Sequence, residues 1–114
     1  MSKISLFDQI KKAILGNKYE LSLVFITPKK IRRLNKIYRN MDKPTDILSF
    51  PLSKTSGEIF ICRSEAKKEM VKFARSYNNF LTFLFIHGLV HLKGYKHGQM
   101  MEKMEAKFRK IFKV

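Results

Sequence analysis

Residues 87–97 read His87-Gly88-Leu89-Val90-His91-Leu92-Lys93-Gly94-Tyr95-Lys96-His97, and all three histidines of the chain lie among them. His87 and His91 are four apart, so on a helix they project from one face, one turn above the other. Gly94 follows where a helix can end on a residue in the left-handed conformation. After such a stop the chain doubles back and brings His97 towards the first two rings. Three neutral imidazoles around one point, with a fourth position open, form a ligand set that catalytic zinc uses. The helix carrying the pair is expected over residues 80–93 and is apolar nearly all round, from Phe80, Leu81, Phe83, Leu84, Phe85 and Ile86 to Leu89, Val90 and Leu92. A helix hydrophobic on every face is a buried one, which places it at the centre of the fold.

The chain of 114 residues is expected to form one domain over residues 1–114. Its charge is lopsided: 24 Lys and Arg against 9 Asp and Glu give a net charge of +15. A chain this basic repels itself and is drawn to polyanions, with RNA, DNA and acidic membrane as candidates. Lys-rich codon bias accounts for part of the lysine count, though not for the scarcity of acids. Cys62 stands alone, so there is no disulfide framework. The N-terminal residues carry charges among their apolar ones and lack a signal-peptide core. The longest apolar run, Phe80 to Val90, is too short to span a bilayer. A cytoplasmic protein without a membrane partner is expected.

Outward from the histidine helix, the chain alternates between helical and extended patterns. Ser5 with Asp8 starts a helix carrying Leu6, Ile10 and Ile14, closed by Gly16-Asn17. Residues 19–26 (YELSLVFI) read as a strand. Thr27-Pro28 is an N-cap with proline at the first helical position, and the helix behind it is expected to bury Ile31, Leu34 and Ile37 or Tyr38. Residues 45–50 (TDILSF) form a second strand stopped by Pro51, and residues 57–62 (GEIFIC) a third. Ser64 is expected to cap a helix over 65–76, with Asn78-Asn79 separating it from the histidine helix. A last helix over 99–112 puts Met100 or Met101, Met104, Phe108 and Ile111 on one stripe, where methionine fills core space. The fold class is α+β: a small mixed sheet packed with about five helices, the zincin-like histidine helix buried at the centre.

The spacing H-x3-H-x5-H predicts a metal site on His87, His91 and His97, with zinc as the default and nickel or copper as other ions that imidazoles bind. The same spacing occurs in metzincin proteases, where a glutamate follows the first histidine and serves as general base. Here that position is Gly88, which transfers no proton. Three neutral ligands leave the site a full divalent charge, which suits an anionic substrate that the basic background would attract. Metal site and charge together point to phosphodiester chemistry on nucleic acid.

The motif HGLVHLKGYKH (87–97) resembles the signature of the YbeY family, bacterial metal-dependent endoribonucleases of ribosomal RNA maturation. LNKIYRNMDKPTDILSFPL (34–52) resembles the family's stretch ending in T-[DN]-V-L-S-F-P, and GEIFICRSEAKKE (57–69) its following G-[DE]-I strand and helix. The resemblance implies one Zn2+ ion per chain, held by His87, His91 and His97. It implies a functional arginine at Arg39, whose guanidinium can grip a phosphate in bidentate fashion and stabilise charge building on it. It further implies a single-strand-specific endoribonuclease of ribosomal RNA processing, acting at the 3′ end of the small-subunit rRNA and in ribosome quality control. Partners would be single-stranded and ribosomal RNA, and the ribosome or ribosomal proteins. Arg39, Lys43, Lys93 and Lys96 are the expected RNA contacts. Lys96 stands where the family usually has Asp, and relatives generally carry more sequence ahead of the first helix, so an edge strand is expected to be missing or reduced. Two other readings fit the zinc motif alone: a compact zincin-type metalloprotease, and a non-catalytic ribosome-binding assembly factor with structural zinc.

Overall fold

The computed structural model describes residues 5–114. Their elements run α1 (Leu6–Leu15), β1 (Glu20–Phe25), α2 (Pro28–Arg39), β2 (Ile47–Ser53), β3 (Ser56–Ile61), α3 (Arg63–Met70), α4 (Tyr77–Leu92) and α5 (Gln99–Phe112), with a single 3-10 turn at Val71–Phe73. The strands form one sheet in the order β1-β3-β2, with β1 parallel and β2 antiparallel to β3. This is the expected α+β class with a small mixed sheet. Residues 1–4, on which the expectation of a reduced edge strand rests, lie outside the described residues.

Alternation along β3 divides the molecule into layers. Gly57, Ile59 and Ile61 are buried on one face, where they meet Phe85, Ile86, Leu89 and Val90 of α4 and, beyond it, Ile10 and Ile14 of α1 and Met101 and Phe108 of α5. The opposite face packs Leu48, Phe50 and Phe60 against Ile31 and Leu34 of α2. Nine of the sixteen residues of α4 are buried, as its all-round apolar character requires. The close fit of α4 on the sheet depends on Gly88. A Cβ at that position would sit 2.8 Å from Ser49 Oγ, 3.0 Å from Ile59 Cδ1 and 3.1 Å from Ile47 Cδ1.

Two caps are as the sequence predicts: Ser5 Oγ accepts from the Asp8 N–H at 3.1 Å, and Thr27 Oγ1 accepts from the Lys30 N–H at 3.3 Å. Several boundaries differ. β2 does not stop at Pro51 but runs through it to Ser53, with a register irregularity there. β2 is an edge strand, so the missing proline N–H faces away from the ladder and costs no inter-strand bond. The helix expected over 65–76 is cut short. α3 begins at Arg63 with no side-chain cap and ends at Met70, and after the 3-10 turn Ala74 takes a left-handed backbone at φ 51°. Asn78 and Asn79 lie inside α4 instead of ahead of it; Ser76 is its cap and accepts from the Asn79 N–H. Ile37 and Tyr38 are exposed, since α2 lies on the sheet through its Ile31–Leu34–Asn35 side. On α5 the buried stripe is Met101, Glu105 and Phe108, while Met100 and Ile111 face outward.

Candidate metal centre and its flanking groove

The site forms where the C-terminal half of α4, the turn after it and the strand β2 meet. α4 ends at Leu92, and Gly94, at φ 111°, turns the chain back, as its place in the sequence predicts. The turn carries His97 to the other two histidines: its ring centroid lies 5.7 Å from that of His87 and 6.1 Å from that of His91. All three imidazoles line one pocket of about 200 Å³, whose floor includes Ile47 and Ser49 of β2 and whose mouth holds Arg39. Three rings on a tetrahedral ion with metal–nitrogen bonds of about 2.1 Å would have centroids roughly 5 Å apart, a little closer than His97 stands to either of the other two. The rings stand slightly wider than that: among the described residues no three His, Cys, Asp or Glu side chains form a ready-made metal cage.

The donor set fits an ion through its hydrogen bonds as well. His87 Nδ1 lies 2.7 Å from Glu105 Oε1 on α5. An ionised carboxylate only accepts, so Nδ1 carries the proton and donates it, and Nε2 keeps its lone pair for a ligand bond. His91 Nδ1 is buried and, among the described residues, has no hydrogen-bond partner of good geometry. Burial holds the His91 pKa below its ordinary value, and the charges of Arg39, His97 and His87 act in the same direction against a small opposing effect of the Tyr95 backbone. His91 is therefore kept neutral, the form that ligates metal.

Arg39 sits in the last turn of α2, which Asn40 ends in the left-handed conformation at φ 57°. Its Nη2 donates to the Ser49 carbonyl at 3.1 Å, and its guanidinium lies 5.7 Å from the centre of the Phe50 ring. Those contacts hold one edge of the guanidinium against β2 and leave the rest exposed at the pocket mouth. The connection from α2 to β2 is pinned by Asn35, whose buried amide donates to the Lys43 carbonyl at 2.9 Å, and by an Arg32–Asp42 pair at 2.9 Å. Arg32 holds the Asp42 carboxyl below its ordinary pKa by hydrogen bond and charge.

The structure thus brings Arg39, His87, His91 and His97 together. Lys43 lies on an adjoining groove, and Lys96 is exposed beside His97. Lys93 is drawn to α1, where its ammonium donates to the Ile14 carbonyl at 2.8 Å. Two carboxylates join the site without having been singled out in the sequence. Glu105 had a signal: an acid on the otherwise apolar stripe of Met101, Met104 and Phe108. Asp46 had none, being one polar residue at the start of a strand. Burial and the charge of Glu69 push its carboxyl above the ordinary pKa, while the backbone of residues 46 and 47 and the charge of His87 pull it down. Asp46 and His87 both line a second groove, of about 630 Å³, between α4 and α5.

The model of a family described as Endoribonuclease YbeY matches residues 3–114 of the chain. The chain belongs to this family. Its relatives include an endoribonuclease YbeY of Phytoplasma australiense, 36% identical over 121 residues that cover 96% of this chain and 81% of the relative. The endoribonuclease YbeY of Aquifex aeolicus is 37% identical over 116 residues, covering 96% of this chain and 77% of its own. The solution structure of a Thermotoga maritima protein superimposes with a TM-score of 0.66 at 27% identity, over 92% of this chain and 75% of that one. The YbeY family match spans every residue of the pocket, from Asn35 to His97.

Proposed function

We propose that the chain is a zinc-dependent, single-strand-specific endoribonuclease of ribosomal RNA maturation, built as one catalytic domain. One observation carries this reading: three imidazoles, one of them backed by a carboxylate, share a small pocket with a guanidinium that no carboxylate among the described residues neutralises. His87, His91 and His97 would hold the ion, one per chain. When bound, zinc supplies Lewis-acid polarisation of a phosphate oxygen and acidifies a bound water.

The chain's own residues do the rest. Arg39, with its Ser49 contact fixing its plane, is the catalytic residue that grips the scissile phosphate and meets the charge that develops on it. Glu105 is a positioning residue, holding the tautomer and ring orientation of His87. Asp46, whose carboxyl lines the groove beside His87, takes the role of proton acceptor. Lys43 and Lys96 flank the pocket and meet RNA phosphates; Lys93, with one of its three donors engaged by Ile14, reaches a phosphate with the others. The net charge of +15 steers the polyanion in. Family membership supports the wider setting: cytoplasmic processing of the small-subunit rRNA 3′ end, ribosome quality control, and the ribosome or its proteins as partners.

Peptide hydrolysis is disfavoured on steric grounds. The general-base glutamate of metzincins would occupy position 88, where even a Cβ meets Ser49 Oγ at 2.8 Å. The test is to offer metal-free and zinc-reloaded protein a single-stranded oligoribonucleotide, its duplex form and an unfolded protein. Zinc-restored cleavage of the single strand alone is expected. Chelator-sensitive peptide cleavage with RNA intact would overturn the assignment, and so would a metal-loaded protein that binds the strand without cutting it.

A further inference from the structure

The groove between α4 and α5 has a polarity that the metal pocket does not use. The two helices run antiparallel along it, so that His87 faces Glu105 and, one turn away, Phe83 faces Arg109. The carboxylates Asp46, Glu102 and Glu105 line this groove as well. Along α5, Glu102 and Glu105 precede Arg109 by two turns and one, so the acids lie towards the histidines and the far end is cationic and aromatic. There Arg75 and Arg109 approach one ring, with their guanidinium carbons 4.5 Å and 5.4 Å from the centre of Phe83. Phe73 packs on the same ring at 5.3 Å and on Phe80 at 5.2 Å, yet is 48% exposed. The left-handed Ala74 between them puts Phe73 and Arg75 on the same ring.

Neither guanidinium is in an ion pair among the described residues, and Arg75 finds only the Asn79 amide oxygen, at 2.6 Å. Burial lowers the Arg75 pKa, and the nearby charge of Arg109 adds to the effect. Like charges brought together beside an exposed aromatic face suit a ligand that is anionic at one end and flat at the other.

We propose that this platform is a nucleotide subsite of the RNA groove: the base next to the scissile phosphate stacks on Phe73, and its phosphate lies between Arg75 and Arg109. The proposal rests on the RNA-cleaving reading and gives it a mechanism for strand selection. His87 and Phe83 are one helical turn apart, about 5.4 Å, so the neighbouring nucleotide is the one in reach. A base can lie on Phe73 only if it leaves its own stack, which a single strand allows and a duplex resists. Stacking on an aromatic ring accepts any base, so the subsite reads strandedness and not sequence.

The test uses zinc-loaded protein and a short labelled oligoribonucleotide carrying 2′-O-methyl groups, checked by gel to be intact after each reading, with binding followed by fluorescence anisotropy over a salt series. Phe73→Ala should weaken binding by about five- to 150-fold, the effect of one lost stack. Arg75→Gln combined with Arg109→Gln should flatten the slope of log affinity against log salt by about 0.7, one phosphate contact. An abasic site scanned along the oligonucleotide should weaken wild-type binding at one position and have no effect there in Phe73→Ala. Circular dichroism of both variants checks the fold. Wild-type affinity and slope in both folded variants, or an abasic penalty that persists in Phe73→Ala, would overturn the subsite while leaving the nuclease assignment in place. A wild-type protein that neither binds nor cleaves single-stranded RNA would overturn both.

Discussion

Replacing Glu105 by glutamine should weaken zinc binding by about one to two orders of magnitude without unfolding the protein. The contact at stake is His87 Nδ1–H to Glu105 Oε1 at 2.7 Å, between side chains that are 33% and 10% exposed. A bond this short to an ionised acceptor is charge-assisted, and such bonds contribute about 1.5–3 kcal/mol net. With tenfold in affinity per roughly 1.4 kcal/mol, the loss spans about tenfold to about 150-fold if the whole contribution is felt at the metal. Carboxylates behind metal-bound histidines typically account for about 10–100-fold, so the two routes to the number agree. Glutamine keeps an acceptor of the same shape and should fall at the low end. Alanine leaves His87 free to rotate and should fall at the high end. The measurement is competition against a chromophoric zinc chelator at fixed pH, with the fold checked by circular dichroism. Wild-type zinc affinity in both folded variants would refute the positioning role of Glu105.

Other substitutions probe the packing, the buried acid and the phosphate grip. Gly88→Ala sets overpacking of about 1–3 kcal/mol against a helix-propensity gain of up to about 1 kcal/mol, so it should lower Tm by a few degrees; Gly88→Glu should not fold stably, and a melt equal to wild type for either would contradict the close approach. Asp46 has a raised pKa, so its stabilising effect is present below the ordinary carboxylate value and is lost as pH rises through the folded one. Asp46→Asn in metal-free protein should therefore exceed wild-type stability at pH 7, by a margin that shrinks towards pH 4; urea titrations at the two pH values that gave an equal gain would speak against a buried, destabilised carboxylate. Arg39→Ala should retain zinc by metal analysis while RNA cleavage falls by about a hundredfold or more, and zinc loss in that variant would move Arg39 from the phosphate to the architecture of the pocket.

The sequence makes the histidine helix legible because its signals are local and agree: apolar residues on all faces, an i, i+4 pair and a glycine at the turn. The caps at Ser5 and Thr27 are legible for the same reason. What escapes is decided by partners remote in sequence. The strand through Pro51 is permitted by its place at the sheet edge, which only the strand order reveals. Ile37 and Tyr38 have the spacing of core residues, but α2 meets the sheet through a different side and leaves them in solvent. The helix expected to reach residue 76 breaks because Ala74 is held left-handed beside a cluster of phenylalanine rings. At the site, the three histidines follow from spacing, whereas Glu105 lies 18 residues from the ring it holds. A lone acid on an apolar stripe was its only trace.

The fit of α4 against β2 at Gly88 also bears on how chemistry is exchanged among proteins that share a histidine triad. Acquiring a peptidase's base here would require more than one codon: the strand beneath the helix would first have to move away, and with it Ser49, whose carbonyl steadies Arg39. Helix-to-sheet separation, set by the absence of a single side chain, thus acts as a barrier between two reactions. Selection could cross it only through forms whose cores are already loosened.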